Sequence, residues 1–405
     1  MSKWRTVKLK DITTKIGSGS TPRGGESVYI SEGTSLIRSQ NIYNFEFKKE
    51  GLVYIDEQAA NKLKNVTIEP QDILLNITGD SVGRCSIVPS DVLPARVNQH
   101  VCIIRADKGT SPHYLMYVLN EQQNKERLLN QVHGGTRKAL TKGIIEEFEV
   151  SLPDYNTQKA VVSLLGNLDK KIQLNNKINI NLERMAQTLY KYWFVDQFTE
   201  EEIELSEVLN LNPRLTVKKG TLCSYIDMKA LPTSASSIQY ASVEKKAFSS
   251  GIKFQNDDVL LARITPCFQN GKAALVSCLE EGEIAFGSTE FLVLRPNEYS
   301  CSVFLYCLCK DPSFLEYAGG SMVGTSGRQR IQNDFLLKYR LSKPTQEKMD
   351  EFKLKTADWF KMIADNTLQN HILTETRDYL LPRLISGEIT VKEVAKIVKE
   401  VLING

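Results

Sequence analysis

A step of four then three residues, taken from Val161, traces one face of a long helix. It visits Val161, Leu165, Leu168, Ile172, Asn175, Asn179, Leu182, Ala186, Leu189 and Trp193, all apolar except the two central asparagines. Apolar residues repeating every 3.5 positions mark a helix that buries a narrow seam against another helix. From Ala160 to Trp193 such a helix runs about 50 Å at 1.5 Å per residue. A second seam of the same kind reads Phe352, Thr356, Trp359, Ile363, Asn366, Asn370, Leu373, Arg377 and Leu380. Elsewhere the pattern changes. Short apolar runs such as "VCIIR" and "EFLVLR", broken by Gly, Pro, Asn and Asp, predict strands and turns of a mixed α/β block. "SPHYLMYVLNEQQNKERLLNQV" and "SVFLYCLCKDPSFLEYA" predict one helix in each block.

The two seams align without a gap at an offset of 366 − 175 = 191, asparagine on asparagine. The same offset joins Pro153 to Pro344 and Arg137 to Arg328. Further back "DILL" from Asp72 answers "DVLL" from Asp258, "CIIRA" answers "LVLRP", and "LKDI" from Leu9 answers "LSEV" from Leu205. An ordered series of this kind marks an internal repeat. The predicted fold is α+β: two mixed α/β blocks, residues 1–155 and 201–345, and two long antiparallel helices, 156–200 and 346–405, related by a pseudo-twofold repeat. The stretch "DQFTEEEIEL" marks the passage between halves.

A buried amide without a partner costs about 1–3 kcal/mol, so Asn175 and Asn179 are expected to meet Asn366 and Asn370 and to set the helix register. Antiparallel pairing then puts the blocks at opposite ends of a rod. The alternative has the asparagines facing solvent and a seam built on Leu164, Ile178 and Met185.

A length of 405 residues exceeds what one core serves, which agrees with two blocks. The net charge, 51 − 48 = +3, permits a nucleic-acid partner without demanding one, because local patches decide such binding. "MSKWRTVKLKDITTK" has no apolar signal region, and no run approaches the roughly 20 apolar residues of a membrane span. The eight cysteines contain no C-x-x-C pair, so a reduced, cytoplasmic protein is expected.

The ends of the two helices resemble a known family. "LYKYWFVDQF" (Leu189 to Phe198) and "RDYLLPRLISGEI" (Arg377 to Ile389) are similar to the conserved regions of the specificity subunit of Type I restriction–modification systems. "YIDMKALP" and the "LP" before Gln158 are similar to family wording as well. The resemblance covers essentially the whole chain. It implies two target-recognition domains, each reading half of a split, asymmetric site in double-stranded DNA. It further implies that the helices act as a ruler and dock two modification (methyltransferase) subunits, with restriction subunits added. S-adenosylmethionine and ATP with Mg²⁺ are then implied for the partner subunits, and no cofactor for this chain. A rod near 50 Å suits half-sites about one DNA turn or more apart, since 10–10.5 bp span roughly 34 Å.

DNA recognition needs Lys and Arg for phosphates, and amides or guanidinium groups for base edges. Three polar regions in each block supply them. In the first block these are "NITGDSVGR" with Asn76, Thr78 and Arg84, "ARVNQH" with Arg96 and Asn98, and "HGGTRK" with His133, Arg137 and Lys138. In the second they are "RITPCFQNGK" with Arg263, Thr265, Gln269, Asn270 and Lys272, "GSTE" with Ser288 and Thr289, and "GTSGRQR" with Arg328, Gln329 and Arg330. "SLIRSQN" adds Arg38, Gln40 and Asn41. The bland alternative for every one of them is a solvated polar turn. Near the N-terminus "IGSGSTPRGG" has no counterpart in the second block, so the two heads need not contact DNA identically. Tyr190, Trp193, Phe194 and Phe198 are too many aromatics for one seam; they dock a partner subunit or pack against the neighbouring block. The tail "TVKEVAKIVKEVLING" is a further candidate docking face.

Catalytic signals are missing. The four histidines stand apart, with no H-E-x-x-H, no G-x-x-x-x-G-K-[ST] and no Asn/Asp-Pro-Pro-aromatic tetrapeptide, "NPRL" at Asn212 being the nearest. "EEFE" and "NDD" read as solvated edges rather than a Mg²⁺ site. The expected function is therefore a non-catalytic DNA-recognition subunit. Its rivals are a two-headed interaction scaffold that does not bind DNA and a self-sufficient restriction enzyme.

Overall fold

The matching runs "DILL" and "DVLL" become strands Ile73–Asn76 and Val259–Ala262, buried at every position. Side chains of a strand point alternately to its two faces. Here both faces meet a core, which is why the runs are apolar throughout. Ile73 and Leu75 pack with Tyr114, Leu115 and Tyr117, while Leu74 packs with Ile37, Val97 and Ile103. Val259 and Leu261 likewise join Phe304 and Tyr306, while Leu260 joins Ile226, Phe254 and Val293.

The computed structural model describes residues 4–131, 139–197, 201–325 and 327–396. They form two units, one of the residues up to Lys170 with those from Thr374 onward, the other Lys171–Leu373. The division falls inside both long helices, Tyr155–Tyr190 and Gln346–Ser386.

In the first unit an antiparallel sheet runs in the order Thr13–Ser18, Val101–Ala106, Ile73–Asn76, Cys85–Ile87. A second sheet centres on Thr34–Ile37, antiparallel to Val53–Ile55 and parallel to Ala95–Val97. Arg5–Lys8 pairs with Glu149–Leu152. The second unit repeats this plan. Its first sheet runs Leu209–Leu211, Phe291–Pro296, Val259–Ala262, Ala273–Leu275. Its second centres on Leu222–Ile226, antiparallel to Val243–Ala247 and parallel to Ala285–Gly287, with one added edge strand, Ile252–Phe254. Glu202–Glu204 pairs with Arg340–Ser342.

The same ion pair recurs in both. Arg105 meets Asp72 through Nε–Oδ1 and Nη2–Oδ2, both 2.8 Å, and Arg295 meets Asp258 through the same atoms at 2.7 Å. Each aspartate also accepts a turn amide, from Glu69 at 2.7 Å and from Gln255 at 2.9 Å. Both carboxylates are 1% exposed, so each depends on its forked guanidinium partner.

The helix expected in each block is in fact two. Glu121 interrupts the first, ending Pro112–Asn120 and capping Gln122–Asn130 by accepting the amides of Gln123 (2.9 Å) and Asn124 (2.8 Å). Asp311 does the same before Pro312–Gly320, accepting from Ser313 (3.0 Å) and Phe314 (3.1 Å). A carboxylate that caps free amides restarts a helix in a new direction, and the Asp-Pro pair is a start signal.

The long helices pair antiparallel within the second unit. Asn175 donates to Asn370 Oδ1 (2.9 Å) and Gln369 Oε1 (2.8 Å), Asn370 to Asn176 (2.8 Å), and Asn366 to Asn179 (2.8 Å). Asn175 is fully buried and Asn370 nearly so, whereas Met185 of the alternative seam is 47% exposed. Further along the same pairing, Trp193 and Phe194 reach Phe352, with ring centroids 6.3 and 5.2 Å apart. In the first unit the same two helices bring Val161 and Leu165 into one core with Leu381, Leu384 and Ile385.

Glu183 fastens the first long helix to a loop and a short helix of the second unit. Its carboxylate, on a residue 6% exposed, accepts the Ser236 amide (2.8 Å) and hydroxyl (2.7 Å) and the Tyr306 hydroxyl (3.2 Å). Burial holds its pKa above the ordinary 4.5, against the pull of those donors.

Two outcomes follow from these buried acids. Asp258→Ala leaves Arg295 without its carboxylate and lowers stability by about 2–3 kcal/mol, because the arginine keeps some solvent; the loss is read as a lower urea midpoint, and an unchanged midpoint contradicts it. Because the folded pKa of Glu183 is raised, its contribution is most favourable below 4.5 and is lost as pH rises through the folded value. Glu183→Gln therefore melts higher than the natural chain at pH 7, with the difference closing as pH falls below 4.5; a lower melting temperature at pH 7 contradicts this reading.

Candidate functional site

In each unit three polar segments converge at the ends of the central strands. In the first, the Ile77 amide donates to the His100 carbonyl (3.0 Å) and the Leu140 amide to the Ile77 carbonyl (2.9 Å). Thr78 pairs with Ala139 across an isolated bridge, and its hydroxyl lies 2.6 Å from His100 Nδ1. In the second, the Arg263 amide donates to the Glu290 carbonyl (3.0 Å) and the Ile331 amide to the Arg263 carbonyl (3.0 Å). Ile264 bridges to Arg330, and the Thr265 amide donates to the Gln329 carbonyl (3.0 Å). The bonds of Ile77 answer those of Arg263, and the Thr78–Ala139 bridge answers the Ile264–Arg330 bridge. Among the described residues, the segments paired by sequence order thus meet in the same way in both units.

The side chains divide into those held inside and those left outward. Asn41 is fully buried, accepting the Arg38 amide (3.0 Å) and donating to the carbonyls of Lys48 (3.0 Å) and Glu50 (3.1 Å). Arg38 and exposed Gln40 both donate to the Gly51 carbonyl, at 2.7 and 3.2 Å. Asn76 is buried too, donating to Ser39 O (2.9 Å) and Ser81 Oγ (3.0 Å), so it ties "SLIRSQN" to "NITGDSVGR". Arg96 donates to the carbonyls of Ala60 (3.1 Å) and Ala95 (3.0 Å), and burial lowers its pKa. Asn98 accepts the His100 amide at 3.2 Å. Arg84 lies over the Tyr43 ring, 4.9 Å from its centroid, and Lys48 over the same ring at 4.3 Å.

In the second unit Arg330 forks onto Glu290, with Nε–Oε2 2.9 Å and Nη2–Oε1 2.8 Å, and holds that carboxyl below its ordinary pKa. Arg263 reaches the Ile331 carbonyl at 3.3 Å, Thr265 Oγ1 accepts the Gln329 amide at 3.0 Å, and Ser288 Oγ accepts the Glu290 amide at 3.2 Å. Gln269, Asn270, Thr289 and Arg328 are exposed. Lys310 braces the turn before Lys272, donating to the carbonyls of Gly271 (2.7 Å) and Thr233 (3.1 Å). His133, Arg137, Lys138 and Phe198 lie outside the described residues.

One feature escaped the sequence reading. Lys272 donates to the Met228 carbonyl at 2.8 Å, so "YIDMKALP" stands to the second unit as "SLIRSQN" stands to the first, and it exposes Lys229. The signal was available, since both segments follow the centre strand of the second sheet. Of the two readings for Tyr190, Trp193 and Phe194, docking a partner subunit or packing against the neighbouring block, the structure shows packing inside the second unit. Tyr190 and Phe194 are 6% and 8% exposed and meet Phe304 at 5.3 and 5.0 Å, because a run of apolar rings beside an unfilled core packs there first. Among the described residues no group of three or more His, Cys, Asp and Glu could hold a metal, and no helix is long and apolar enough to cross a membrane.

Residues 1–184 match the family described as "Type I restriction modification DNA specificity domain". Over 96% of its length the chain is 24% identical to the whole of the Type I restriction enzyme HindI specificity subunit of Haemophilus influenzae. It is 25% identical, over 96% of this chain and 94% of that one, to the MjaIX specificity subunit of Methanocaldococcus jannaschii. The chain thus resembles the Type I restriction–modification specificity subunits along nearly its whole length. The fold of such a subunit is shared too: the crystal structure of the S subunit from M. genitalium superposes with a TM-score of 0.57 at 15% identity, covering 95% of this chain and 96% of that one. The two loop convergences therefore sit on a fold shared with that S subunit.

Proposed function

We propose that this chain recognises a two-part, asymmetric site in double-stranded DNA and directs methyltransferase and nuclease subunits of a Type I complex to it, without catalysing a reaction itself. One observation carries the reading. The same convergence of three segments occurs twice, on matching strand ends and through matching backbone bonds, with different side chains in each copy. A duplicated frame with divergent loops suits two unlike half-sites. The chemistry fits such recognition, since exposed amides at Gln269 and Asn270 suit base edges and exposed Arg328 suits a phosphate. Arg330, already forked onto Glu290, and Asn41 and Arg96, bound to backbone, act by holding the loops rather than by touching DNA. In this proposal the modification subunits supply S-adenosylmethionine, the restriction subunits supply ATP and Mg²⁺, and the complex works on DNA in the cytoplasm.

Binding of labelled duplex DNA, titrated at several salt concentrations, tests the reading. The natural chain with its modification subunits gives a log K that falls linearly with log salt, and Arg328→Ala weakens binding and makes that slope shallower by about 0.9. An unchanged slope removes Arg328 from the phosphate contacts. Absence of any salt-dependent binding favours the two-headed scaffold that does not engage DNA.

A further inference from the structure

The pairing of Asn175 with Asn370 and of Asn179 with Asn366 sets the helix register but cannot choose the partner. Asn175 and Asn179 stand at the same repeat positions as Asn366 and Asn370, so a helix paired with a second copy of itself would meet amide with amide as well. Other positions differ between the copies, and those differences face each other. In the first unit Asp169 accepts from Arg377 Nη1 (2.8 Å) and from the Tyr117 hydroxyl, and Arg377 also lies 4.0 Å from the centroid of the Phe45 ring. The two side chains are 12% and 11% exposed. Their repeat counterparts, at the offset of 191, are Phe360 and Ala186, both buried in the second unit, where Phe360 packs on Tyr306. A second set diverges in size. Val161, Leu381 and Ile385 share one core in the first unit, while their counterparts Phe352, Tyr190 and Phe194 share one in the second.

We infer that the helix faces are built to accept only the unlike half of the chain and to reject a second copy of the same half. Two first halves paired in the same register would set Asp169 against Ala186 at both ends, stripping a nearly buried carboxylate of its guanidinium. Two second halves would set Arg377 against Phe360. The packing opposes both as well: rings would enter a site sized for leucine and isoleucine, or aliphatic chains would leave voids in a site sized for rings. Asp169 and Arg377 are the selecting charges, and the aromatic and aliphatic sets reinforce them. None of this rests on the DNA reading.

The test uses the full chain carrying a protease site between Gln197 and Glu201, folded, cleaved, taken through urea and returned to buffer. Native mass spectrometry then counts the three pairs by mass. Indiscriminate association gives unlike pairs at about twice each like pair; the inference requires an excess of about tenfold or more, from the cost of stranding a buried charge. Asp169→Asn combined with Arg377→Gln, which keeps size and removes charge, brings the excess down toward twofold. In the exchanged chain, Asp169→Arg with Arg377→Asp, the exchanged first half selects the exchanged second half over the natural one. Refolding from urea is bypassed by making the same counts on chains expressed already split at that point. A two-to-one ratio for the natural residues, or an excess untouched by the neutral pair of substitutions, overturns the inference.

Discussion

A carboxamide taken out of water must find another polar group, and this requirement organises the long helices. Asn175 is fully buried on the seam, one step of the pattern from Ile172. The amides of Gln369 and Asn370 receive it. Sliding the pair along the seam would face it with apolar side chains at a cost of about 1–3 kcal/mol, so one register is strongly preferred. Once that register holds, Trp193 and Phe194 arrive at Phe352, Glu183 arrives at Ser236, and the second unit closes around them.

Duplication explains what is kept and what is free. The Arg–Asp forks recur atom for atom because a turn amide and a strand end depend on each of them. The backbone bonds that gather three polar segments recur for the same reason. The side chains these segments carry have drifted: Asn76 stands where the other copy has Ala262, and Thr78 where it has Ile264. A fixed frame with variable loops lets the two units recognise different surfaces without changing how either folds.

Much of the fold was legible in the residues. The 3.5-residue seams announced both long helices, and the 191-residue offset announced the repeat. The strands were visible as apolar runs, although burial on both faces erased the alternation that would have assigned sides. The helix pairs were less plain, since Glu121 in mid-pattern reads as an ordinary helix former until its carboxylate is seen capping a new start. The site was legible as loops and much less as side chains. Composition marks Arg96, Arg330 and Asn41 as polar and available. Whether a guanidinium meets solvent or a carbonyl is settled by contacts distant in sequence, such as Arg330 with Glu290 and Arg96 with Ala60. The choice between docking and packing for Tyr190 and Phe194 stayed open for the same reason, their neighbours Phe304 and Phe352 lying more than a hundred residues away.

The most direct measurement is a double-mutant cycle between Asn175→Ala and Asn370→Ala, read as unfolding free energy in urea. Amides that face each other in a buried seam give a coupling of about 1 kcal/mol or more, with the double substitution far less damaging than the sum of the singles. Additivity within about 0.5 kcal/mol would mean that the two side chains do not meet, and would contradict the register on which the helices, and the units built around them, depend.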